Sequence, residues 1–160
     1  MNRSQFIARR LSEVYLDGHW VANTNYKEQL SSLHWQQATQ QVGQLNTIAL
    51  LTYHINYYLR GLLQVLHGGA LEIKDKYSFD MPPVTNDKEW LSLTTEFFSN
   101  AEKFVAAVAI LPDEKMDEHF VDPKYGTWYR NLEAVVEHSY YHLGQICLIR
   151  KLQAAGEQPE

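Results

Sequence analysis

The sequence predicts an all-α protein, a four-helix bundle with short additional helices in its connections. Three observations carry this. Four segments place apolar residues three and four apart, turn formers and prolines separate them, and no alternating strand pattern, repeat or low-complexity tract is visible in the 160 residues. A chain of this length buries roughly two-thirds of its unfolded surface, so a single domain over residues 1–155 with a tail at 156–160 is expected.

The first long helix runs from Asn2 to about Leu16, where Phe6, Ile7, Leu11, Val14 and Tyr15 share one face, and Asp17 and Gly18 stop it. Asn23, Thr24 and Asn25 form a turn, and good helix formers between Tyr26 and Thr39 predict short helix there. Asn46 is the expected cap of the second long helix, which runs from Ile48 through Leu66 to Gly68 and Gly69. It is apolar nearly all round, so it lies either at the centre of the bundle or at a subunit interface.

Pro82 and Pro83 exclude helix from the following connection. That connection, Gly68 to Thr85, is long enough to run back along a whole helix, which permits a parallel pairing of the second and third helices. Asn86 followed by Glu89 resembles a capping box, and Trp90, Phe97, Ala101, Phe104, Val108 and Leu111 then define the third helix. Pro112 ends it, with a further turn expected over Asp113 to Glu118. Thr127 caps the fourth helix, whose apolar positions Leu132, Val135, Val136, Leu143, Ile146 and Ile149 predict burial.

The formal charge of −5 and the lack of a lysine or arginine run exclude an obvious phosphate-binding surface, so nucleic acid is not an expected partner. Cys147 is the sole cysteine and falls among apolar residues, where an inert thiol is expected. Met1 to Arg10 lacks the apolar run of a signal peptide, and no stretch approaches the ~18 apolar residues of a membrane span. The expectation is a cytoplasmic protein with no membrane partner. Ten tyrosines and four tryptophans, together with the apolar second helix, predict a homodimer.

Seven histidines are present. His19, His34, His67 and His119 fall in or beside connections, where a solvated imidazole is ordinary. His138 and His142 stand four apart on one helix face and can turn their nitrogens toward one point. His54, in the middle of the second helix, can reach the same point across an interhelical gap of ~8–10 Å. Three neutral imidazoles suit a divalent ion such as zinc, nickel or iron, and fewer than four protein ligands leave a position open, as catalytic sites do. Such an ion would lower the pKa of water or a thiol near neutral pH. Tyr57, Tyr58 and Gln145 are expected around it, whereas Cys147 is turned away at ~100° per residue.

The run Leu51 to Tyr58 with its central His54, and the run Glu137 to Ile146 with His138, His142 and the following Leu143, Gly144 and Gln145, resemble the DinB-like superfamily of helical metalloproteins. The similarity extends over most of the chain, including Asp17 to Asn25 and Lys74 to Pro83. It implies an up-down-down-up bundle, a homodimer, and a divalent metal on His54, His138 and His142. Relatives include transferases and isomerases that use low-molecular-weight thiols such as bacillithiol or mycothiol. The expectation is therefore a metal-dependent thiol S-transferase acting on a small-molecule substrate. The alternatives are a metal-dependent hydrolase with the same ligands, or a dimer that holds metal or a small ligand without turnover.

Overall fold

The computed structural model describes residues 2–156, so the tail expected at 156–160 lies outside it except for Gly156, which is helical. The fold is all-α, with no strand among the described residues and one isolated antiparallel bridge between His119 and Thr127. The long elements are α1 (Arg3–Ser12) with its π-helical extension Glu13–Asp17, α4 (Ile48–Leu66), α5 (Asp87–Ala109) and α6 (Trp128–Gly156). Two short helices, α2 (Tyr26–Leu30) and α3 (Trp35–Thr39), fill the first connection.

Local chemistry explains most boundaries. Asn2 caps α1 by accepting from the Gln5 amide, and the Gln5 side chain returns the bond to the Asn2 amide. The cap of α4 is Thr47, not Asn46: its hydroxyl accepts from the Leu50 amide at 3.2 Å. Both residue types cap well, and sequence cannot fix the register by one position.

Asn86 caps α5 as expected, accepting from the Glu89 amide at 3.0 Å. The Glu89 carboxylate, however, bonds the amide and hydroxyl of Thr85 and not the Asn86 amide, so the box is offset by one residue. Asn86→Ala is expected to lower stability by about 1 kcal/mol, as a lost cap does, read as a shift in the urea midpoint at constant slope. The turn after Pro112 is a 3₁₀ segment, Asp113–Asp117, pinned to the first helix by Arg3, which pairs with Asp113 at 3.0 Å and Asp117 at 2.6 Å.

The buried apolar residues form one cluster drawn from every long helix. α5 lies along both α1 and α4, and α6 meets α4 and α1 from the other side. Of α4, only Arg60 and Gln64 are exposed, so its all-round apolar character is that of a central helix. No helix among the described residues is long and apolar enough to cross a membrane.

Candidate metal centre

His54 sits on the inner face of α4, and His138 and His142 stand one turn apart on α6. His54 and His142 are buried and His138 is half-buried. Their candidate ligand nitrogens all lie within 4.8 Å of one another. The Nε2 atoms of His54 and His138 are 3.2 Å apart, and those of His138 and His142 are 2.9 Å apart. Nitrogens sharing one ion at about 2.1 Å, with angles between octahedral and tetrahedral, stand about 2.9–3.4 Å apart, so the spacings of His138 from His54 and from His142 are those of a shared divalent ion.

The outer nitrogens support the same orientation. Nδ1 of His54 lies 3.3 Å from the Ser78 carbonyl oxygen, which only accepts, so Nδ1 carries the proton and Nε2 keeps its lone pair. Nδ1 of His142 lies 2.7 Å from the Gln145 amide oxygen, with the same consequence. Two lone pairs therefore face His138 Nε2. A single proton there would satisfy one of them, whereas a cation satisfies all three rings.

Burial holds the rings neutral, the form a metal requires. His54 and His138 are both pulled from 6.5 to about 4, first by burial and then by their histidine neighbours. For His54 the Ser78 carbonyl and Asp75 oppose this only in part. His142 is lowered by burial against the Gln145 hydrogen bond. Because the unfolded chain takes up protons that the folded one refuses, the contribution of these neutral rings to the stability of the metal-free protein is complete above about pH 6.5 and is lost as pH falls toward about 4. Thermal unfolding in chelator across that range should show the decline, with a shallower one for His138→Gln; equal slopes for the two proteins would contradict it.

The connection after α4 completes the site. Phe79 stacks on the His54 ring, with centroids 4.0 Å apart and planes within 11°. Tyr58 packs edge-on to both His54 and His138 and donates to the Asp75 carboxylate at 3.0 Å. Tyr57 is not beside the histidines as expected; its hydroxyl bonds the amide and carbonyl of Lys74 and thereby holds the connection down. Gln145 is where the helix spacing puts it.

Ser78, Phe79 and Asp75 were not legible from periodicity, because they lie outside any long helix and 24 residues separate Ser78 from His54. The four remaining histidines are exposed: His34 precedes α3, His67 follows α4, His19 pairs with Glu28 at 3.0 Å, and His119 forms the bridge to Thr127. Cys147 is half-buried, and burial pushes its thiol above the ordinary range. It is not an activated nucleophile.

Compared with models of known families, with curated proteins and with solved structures, the chain matches none.

Proposed function

We propose that this is a divalent-metal protein of the DinB-like type, with His54, His138 and His142 as ligands, serving the transfer of a low-molecular-weight thiol to a small electrophile. The convergence of three neutral imidazoles carries the reading. A divalent ion held there would act as a Lewis acid and make a thiol acidic near neutral pH. Ser78 and Gln145 would fix the tautomers of His54 and His142, and Phe79 would shield one face of the His54 ring from water.

In this reading the four long helices are wound up-down-down-up, the long connection between α4 and α5 permitting the crossover, and the protein works in the cytoplasm as a homodimer. With α4 committed to the core, the exposed apolar residues Tyr141, Leu148 and Leu152, on one side of α6, are the surface that supports a second copy. Light scattering at micromolar concentration should give twice the chain mass.

Elemental analysis after purification without chelators is expected to give about one transition-metal ion per chain, and none would end the reading. Turnover of an electrophile that depends on added thiol supports the transferase. Turnover without thiol would indicate metal-dependent hydrolysis instead, and bound metal with no turnover in either assay would indicate a binding protein.

A further inference from the structure

A cavity of about 390 Å³ runs between α4 and α6 and ends at His138. Its walls follow α4 from Tyr58 to Leu66 and α6 from His138 back to Trp128, spans of about 12 and 15 Å at 1.5 Å per residue. It is therefore a slot along two antiparallel helices and not a widening of the histidine site.

Its volume lies at the lower end of the range for small-molecule sites, about 300–1,000 Å³. The floor is apolar: Ile55, Leu59, Phe104 and Leu132 are all buried. No lysine or arginine lines it among the described residues, and its one carboxylate, Asp75, already accepts from Tyr58 at the histidine end. Lys115 and Lys124, which lie over the rings of Trp128 and Tyr125 at the far end, are paired with Glu118 and Asp122. An anionic group would find no free cation in this slot, and desolvating it there would go uncompensated.

We propose that this slot binds the apolar body of an uncharged small molecule, of one or two rings or a medium-length hydrocarbon chain, with its polar head at His138. The proposal deepens the reading of the site given above and rests on it only for what the head meets. It assigns the slot to the electrophile, because the low-molecular-weight thiols of that reading are polar and charged.

The test is a fluorescence titration of the full-length, metal-loaded protein with N-phenyl-1-naphthylamine, an uncharged probe that brightens in apolar surroundings. Saturable binding is expected, with displacement by 1-decanol at a concentration about tenfold lower than by decanoate. Leu62→Trp and Val135→Trp each put an indole into the slot from a half-buried wall position, and each is expected to weaken the probe by about tenfold, or 1.4 kcal/mol, with metal content unchanged.

Should one variant fail to fold, the other and the displacement pair still decide. No binding to the wild type, unaltered affinity in a folded variant, or equal displacement by alcohol and carboxylate would each overturn the proposal. A protein that takes up no metal yet still binds and releases the probe in this way would sink the metal reading and leave the slot standing.

Discussion

Replacing His138 with alanine is expected to weaken divalent-metal binding by more than about 100-fold. His138 is the ring the other two meet, its Nε2 lying 3.2 Å from that of His54 and 2.9 Å from that of His142. Removing a group that merely orients a ligand costs 10–100-fold in affinity, so deleting a ligand itself must exceed that range. His138 is only half-buried, so the fold should survive and circular dichroism should be unchanged. Glu137→Ala is the control: Glu137 is exposed and pairs with Arg130 at 3.0 Å, and its loss should leave affinity within about twofold. Competition with a chromophoric chelator measures both. A His138→Ala protein that is folded and binds zinc within tenfold of the wild type would remove the site.

That the three-histidine cluster was legible at all follows from helix geometry. His138 and His142 share a face because four residues make about one turn, and the apolar residues around them fix which face is inward. His54 was readable for the same reason, within a helix that is apolar nearly all round. What periodicity could not reach is everything held by a connection. Ser78 and Asp75 take their positions from hydrogen bonds to His54 and Tyr58, Lys74 beside them from one to Tyr57, and Phe79 from stacking on His54, and no local spacing encodes those. The expected cap at Asn46 missed by one residue because Asn46 and Thr47 compete for one role.

The slot was equally invisible. One of its walls comes from the connection, which lies against α4 at Gly61, where a Cβ would stand 2.2 Å from Cγ2 of Ile73, a wall residue. The first helix was read to about Leu16, and the chain indeed stays helical to Asp17, but its last turn widens to a π-helix. That turn carries Tyr15, whose hydroxyl meets Ser139 of α6.

Phe97→Ala is expected to destabilise the protein by about 3–5 kcal/mol, the range for a buried phenylalanine, against a total of about 5–15 kcal/mol for a domain. Phe97 on α5 is fully buried and packs edge-on to Tyr15 at 5.8 Å and obliquely on Tyr26 at 5.2 Å. Both tyrosines hold Ser139. The Ser139 hydroxyl donates to the Val135 carbonyl, so the Tyr15 hydroxyl donates to Ser139 Oγ at 2.5 Å, while Tyr26 donates to the Ser139 carbonyl at 2.9 Å. Burial raises the pKa of both phenols and keeps them protonated as donors. Ser139 directly follows His138, so the aromatic cluster fixes the rotation of α6 that aims both of its histidines at His54. Tyr15→Phe removes one of those bonds and should cost only about 1–3 kcal/mol, that of a buried acceptor left with fewer partners. If Ser139 is the link, Phe97→Ala should lose metal affinity as well as stability, while zinc at saturating concentration raises its unfolding midpoint by mass action. Urea unfolding with and without zinc separates the two effects: a loss below about 2 kcal/mol with unchanged metal affinity would show that the ring only fills space.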